Sequence, residues 1–147
     1  MIISTDREQQ IQELRQLSAD IKCGMLTTVD ANGCLHSCPM HKTGDISLDG
    51  GIWFFSSVNT QKVDDIKQNQ QVNISFTSPH QQRYISISGT AELIEDRDQM
   101  QEKWQPELQT WLPQGLEEPN LVLLKVNIHK VDYWDSPSSI HPQSWGV

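Results

Sequence analysis

Apolar positions recur along this chain with two different periods. Ile11, Leu14, Leu17 and Ile21 fall at helical spacing behind a Thr5-Asp6-Arg7-Glu8 capping-box pattern, which predicts a first helix over about 6–22. From Met25 the rhythm becomes that of strands. Met25 to Val29 reads as a strand, Asp30-Ala31-Asn32-Gly33 as a turn that tolerates positive φ, and Cys34 to Met40 as the returning strand. Leu48-Asp49-Gly50-Gly51 is a second turn, before a strand from Ile52 to Ser56. Thr60 stands where it would cap a short helix from Gln61 to about Gln68 that turns Val63 and Ile66 inward. Val72 to Phe76 alternates as a strand, and a long strand from Tyr84 to Ile94 follows, with Gly89 as the expected bulge.

The pattern then changes again. Asp96-Arg97-Asp98 opens a helical region with Met100, Trp104, Leu108, Trp111 and Leu112 on its apolar side, cut into short pieces by Pro106 and Pro113. Leu121 to Trp134 is the last strand. Residues 1–136 thus make one domain, and 137–147 read as a C-terminal tail. Six antiparallel strands joined by short hairpins predict a mainly β fold, a closed or nearly closed barrel with peripheral helices.

One joint carries candidate chemistry. The apolar strand Trp53-Phe54-Phe55 ends in Ser56 and Ser57, and Lys62 lies in the first turn of the helix behind Thr60. A strand entering a helix through small hydroxyl residues gathers free N–H groups, hydroxyls and one cation, which is the chemistry of a phosphate seat. Ser56 and Ser57 serve equally well as caps of the turn.

Composition narrows the partners. With 11 basic against 19 acidic residues the net charge is −8, which argues against nucleic acid and anionic membranes. No apolar run approaches the roughly 18 residues of a membrane span. The odd count of three cysteines, with no signal-peptide pattern in 1–10, fits reduced thiols and predicts a cytoplasmic protein. Cys34, His36 and Cys38 share a strand face and His41 follows. Consecutive same-face ligands on one strand converge poorly, so no metal is predicted. No hydrolase triad, Rossmann loop or Walker loop is present.

The residues Met25-Leu26-Thr27-Thr28-Val29-Asp30, His36-Ser37-Cys38-Pro39-Met40, Trp53-Phe54-Phe55-Ser56 and Lys62-Val63 resemble the FMN-binding split-barrel superfamily. Within it they resemble the general stress protein branch related to pyridoxamine 5′-phosphate oxidase. Val72 to Phe76, Tyr84 to Glu92, Leu121 to Val126 and Tyr133-Trp134-Asp135 extend the match in the same order over about 9–136. The resemblance implies a six-stranded split barrel forming a homodimer, with two FMN sites at the interface. It implies that Ser37, Cys38, Pro39 and Met40 lie along the flavin and ribityl chain, and that Phe55 and Ser56 sit beside the ring and ribityl groups. Ser57 and Lys62 would contact the phosphate, Tyr84 would give a polar flavin contact, and Trp134 would border the ring from the other chain. A cofactor of this kind supplies the redox chemistry itself, which accounts for the lack of a conspicuous acid–base pair and leaves a flavin-dependent oxidoreductase, a non-catalytic flavin carrier, or a split barrel that has lost flavin binding.

Two positions depart from the pattern. Cys38 stands where the family carries arginine before Pro-Met, and Gln61 where oxidases carry arginine beside the lysine. Neither grips phosphate bidentately, and each lost charge-assisted contact of roughly 1.5–3 kcal/mol lowers affinity about tenfold or more. The substrate-phosphate residues and C-terminal arginine motif of true pyridoxamine phosphate oxidases have no match, so that activity is not expected.

Overall fold

The computed structural model describes residues 2–135 and 142–146. Seven antiparallel strands form one curled sheet: β1 (Cys23–Val29), β2 (Leu35–His41), β3 (Gly51–Ser57), β4 (Gln71–Ser78), β5 (Arg83–Ile94), β6 (Leu121–Trp134) and β7 (Gln143–Gly146). Six of them run in the order β2-β1-β4-β5-β6-β3, and β7 pairs with β6. Three helices accompany the sheet: α1 (Ile2–Ser18), α2 (Gln61–Gln68) and α3 (Arg97–Lys103), with short 3-10 turns at Pro106–Thr110 and Gly115–Glu117. Among the described residues no helix is long and apolar enough to cross a membrane.

The sheet curls until its edge strands β2 and β3 meet. They do so through one bridge, Lys42 to Phe54, reinforced by the Thr43 amide donating to the Trp53 carbonyl at 2.8 Å. Continuing that register would put Met40 opposite Ser56, but no ladder forms there. The ring of strands is therefore tied at one rung and open along the rest of the seam.

Inside the curl, Leu26, Phe54, Ile74, Phe76, Ile85, Ile87, Leu124 and Val126 pack with Ile11 and Leu14 of α1 and Ile66 of α2. Each such fully buried side chain contributes roughly 1.5–3 kcal/mol. A second cluster lies outside, where Trp53, Phe55 and Leu123 meet Met100 and Leu108 of the helical excursion after β5. Strand β3 is sandwiched between the two clusters, which is why six consecutive residues from Gly51 to Ser56 are buried and its sequence shows no alternation.

The boundaries differ from the sequence expectation where side chains redirect the backbone. The first helix begins at Ile2 and stops at Ser18, not near residue 22. The Ser18 hydroxyl turns back to the Leu14 carbonyl at 2.8 Å, and the buried Lys42 ammonium takes the Ser18 carbonyl at 2.8 Å. Those two bonds end the helix, and Thr5 lies within it rather than at its cap. Cys34 belongs to the turn, where its amide donates to Asp30 at 2.9 Å. The stretch after Trp134, expected to be a plain tail, carries β7. That strand extends the same edge of β6 that β3 leaves at Asn127, with Val131 opposite Trp145 and Tyr133 opposite Gln143. Gly89 does mark a bulge, with the register shift between Ser88 and Gly89.

Tyr133 ties three elements together. Its hydroxyl lies 2.7 Å from Glu13 Oε1 on α1 and 2.9 Å from the Gln143 side-chain amide on β7. A phenol has one proton. Both partners are oxygens, so the single proton is donated to Glu13 Oε1 or to Gln143 Oε1 at any one time, the carboxylate being the nearer. Burial, and then the Glu13 hydrogen bond, push the Tyr133 pKa up to about 12.

Candidate functional site: the open seam between β2 and β3

Beyond the Lys42–Phe54 rung, β2 and β3 diverge and the N-terminus of α2 lies at the opening. Two clefts occupy it. One, of about 250 Å³, is lined by Pro39, Met40 and His41 of β2, Phe55 and Ser56 of β3, Lys62 of α2, Cys23, and Leu108, Trp111 and Leu112 of the excursion. The other, of about 270 Å³, is lined by Leu26, Thr28, His36, Ser37, Cys38, Gln61 and Lys62. Lys62 is shared by both. Each alone falls short of the ~300 Å³ at which small-molecule sites begin, and Lys62 stands between the two.

The electrostatics are local. No carboxylate lines either cleft, although the chain carries 19 acidic residues. Lys62 is half-buried, and no hydrogen bond or ion pair engages it among the described residues. The Ser56 hydroxyl is likewise unengaged there, though the residue is only 8% exposed. Behind Lys62, the buried Asp65 accepts the Thr28 hydroxyl at 2.7 Å, which fixes α2 against β1. The excursion is tied down over the seam by the Thr43 hydroxyl, which donates to the Lys103 carbonyl.

The fold brings seven of the ten sequence-named residues together: Ser37, Cys38, Pro39, Met40, Phe55, Ser56 and Lys62. Their modes of approach differ. The Ser37 hydroxyl bonds Thr27 at 2.7 Å across the strands, on the face opposite Leu26 and Cys38, so Ser37 meets the cleft through its backbone. Ser57 lines neither cleft. Its hydroxyl accepts the Asn59 amide at 3.3 Å, and its carbonyl accepts the Thr60 hydroxyl at 2.8 Å. It serves the turn, and Thr60 makes no side-chain cap to α2, contrary to the sequence expectation.

Tyr84 and Trp134 face each other on β5 and β6, and neither lines the seam. The outward face runs from Pro39 through Met25 and Ser75 to Ser86, so Tyr84 lies three strands away, about 14 Å at ordinary strand spacing. Within one chain these two residues stand apart from the clefts.

Sequence reasoning missed the wall of the first cleft. His41 and Trp111 lie against each other with ring centroids 4.6 Å apart and planes tilted by 38°, and Trp111 is 57% exposed. Leu108, Trp111 and Leu112 had a signal, an apolar group in a segment cut by prolines, but that signal suits core or interface equally. His36 is engaged elsewhere, 3.1 Å from the Asp30 carboxylate. The Asp30 carboxyl is held below the usual range by the Cys34 amide and then by His36. Among the described residues no three His, Cys, Asp or Glu side chains gather as metal ligands.

A curled antiparallel sheet opened along one seam, with a lysine-bearing helix start in the opening, defines a class of small β proteins. The chain belongs to the pyridoxamine 5′-phosphate oxidase-like family, whose model matches residues 9–145. It is 31% identical over 142 residues to Protein bli-3 of Neurospora crassa, covering 90% of this chain and 68% of that one. General Stress Protein 26 from Bacillus anthracis superimposes with a TM-score of 0.73 at 26% identity, covering 95% of this chain and 98% of that one. A Clostridium acetobutylicum protein related to general stress protein 26 gives a TM-score of 0.81 at 18% identity, covering 95% and 96%.

Proposed function

We propose that this chain binds FMN, or a closely related phosphorylated flavin, in the seam. The observation that carries the reading is the pair of carboxylate-free clefts meeting at an unengaged lysine in a chain of net charge −8. Lys62 would hold the phosphate with the Gln61 amide beside it. Ser56 would meet the ribityl hydroxyls, and the ring would lie against Met40, Phe55 and the leucines of the excursion. The donor set fits the group, with one cation, one free hydroxyl and an apolar wall. Bound flavin supplies reversible hydride or electron transfer, while this chain positions it and sheds water from the ring.

Cys38 and Gln61 both line the second cleft where arginines would grip phosphate, so the affinity is expected to be modest. A second reading is a flavin carrier without turnover. It is supported by Cys38 and Gln61, which stand in the second cleft in place of the arginines of the oxidases. Reduction of bound flavin by NAD(P)H with turnover selects the oxidoreductase, and binding without turnover selects the carrier. We also propose a homodimer through the outward sheet face, where Met25 is 44% and Tyr84 43% exposed. A second copy there would bring Tyr84 and Trp134 toward a seam; a monomer in sedimentation would remove them from the site.

The deciding experiment is FMN titration followed by flavin fluorescence quenching. Saturation near one flavin per chain supports the reading. Absence of binding up to roughly tens of micromolar, about −6 kcal/mol, sinks it.

A further inference from the structure

Resting on the flavin reading, we propose that His41 reads the edge of the bound ring. Its Nε2 accepts a hydrogen bond from a ring N–H of a planar heteroaromatic ligand, which in an oxidised flavin is the imide N3–H.

Three observations fix the role. The His41 Nδ1 lies 3.0 Å from the Lys42 carbonyl oxygen. A carbonyl only accepts, so Nδ1 carries the proton, and the neutral ring then keeps a lone pair on Nε2. The imidazole lies against the Trp111 ring, with centroids 4.6 Å apart and planes tilted by 38°, which limits its rotation on that side. Nε2 has no partner among the described residues, and the side chain lines the apolar cleft beside Met40 and Phe55. Its backbone is equally constrained, since Lys42 is the rung that joins β2 to β3. The result is an acceptor with a set tautomer in a cleft whose other polar groups, apart from one thiol, are the Lys62 ammonium and the Trp111 indole N–H, which only donate, and the Ser56 hydroxyl, assigned above to the ribityl chain. Such a group discriminates between ligands by whether they offer a donor at that edge, because the neighbouring Met40 and Phe55 offer no alternative partner.

The test compares FMN with N3-methyl-FMN on the wild type and on His41→Phe. Phenylalanine keeps the stacked ring and its bulk and removes the acceptor. On the wild type, methylation should weaken binding about threefold to tenfold, the span of one hydrogen bond. On His41→Phe the two ligands should bind alike, near the wild-type affinity for the methylated one. His41→Gln, whose amide can present an oxygen near the Nε2 position, should recover part of the discrimination and guards against a misfolded Phe variant. An equal preference for FMN in the wild type and in His41→Phe overturns the role of His41 and leaves the flavin site standing. Failure of the wild type to bind FMN at all overturns both.

Discussion

The Nζ of Lys42 lies 2.8 Å from the carbonyl oxygen of Ser18, so a lysine buried to 2% exposure ends one helix while its backbone closes the barrel. Burial is the main force on this ammonium and lowers its pKa from 10.5 to about 8. Between those values the unfolded chain holds the proton and the folded chain has released it. Unfolding therefore takes up a proton, and the contribution of Lys42 to stability rises with pH from about 8 to about 10.5. Below that window both states are protonated and the contribution is flat. Urea unfolding of the wild type against Lys42→Met should show the difference moving in favour of the wild type by up to about 3 kcal/mol across the window. A constant difference would mean that the lysine is solvated.

Thr28 and Asp65 make the other buried polar tie, at 2.7 Å. Thr28→Val keeps the shape and strips the carboxyl group of its donor, which should cost about 1.5–3 kcal/mol in denaturant unfolding. Because Asp65 shares its helix with Lys62, the same variant should also weaken FMN binding. Stability lost with FMN affinity retained would uncouple the start of α2 from this bond.

Gly89 sits at the bulge between β5 and β6, where an added Cβ would overlap the Asn127 carbonyl oxygen. The overlapping atoms are backbone of the paired strand, which cannot swing aside as a side chain can. Gly89→Ala should be among the most damaging single-atom changes in the chain, costing about 3 kcal/mol or more, with loss of cooperative melting. A melting temperature within a degree or two of wild type, well under the roughly 4 °C expected of a 1 kcal/mol change, would show that the bulge can move.

Lys62 and Cys38 probe the phosphate end of the seam. Lys62→Ala should weaken FMN about tenfold or more, as expected for a charge-assisted contact, and leave riboflavin binding and the melting temperature nearly unchanged. Cys38→Arg should tighten FMN but not riboflavin, since it restores a bidentate donor. Equal effects on the two flavins would place the phosphate elsewhere.

Strands with one inward face, such as β4, were legible because period-two alternation records that face directly. The bounds of β6 and the start of α2 agree with the sequence reading, α2 through its inward Val63 and Ile66 at helical spacing. What escaped is what depends on distant partners. Lys42 looks like any surface lysine until the Ser18 carbonyl and the Phe76 ring, 5.4 Å from its Nζ, are brought to it. Strand β7 is Gln-Ser-Trp-Gly, with little strand propensity, and exists because β6 continues past the end of β3. The strand-to-helix joint singled out in the sequence lies at the opening of the seam, yet the hydroxyls it paired divide: Ser56 lines the cleft and Ser57 serves the turn. The opposite wall, His41 against Trp111, joins residues seventy positions apart, and no local pattern links them.

A sheet tied at a single rung leaves two edges without a ladder between them, and the ligand proposed for the seam would lie where the further rungs are missing. Its occupancy would then add to the cohesion of the fold. A ligand at a hundred times its Kd adds about 2.7 kcal/mol to the folded state, a large share of what holds a domain of this size together. On the proposed reading the melting temperature would be a gauge of what fills the seam, and heating the protein against a panel of phosphorylated heterocycles would read out the occupant without any assay of turnover.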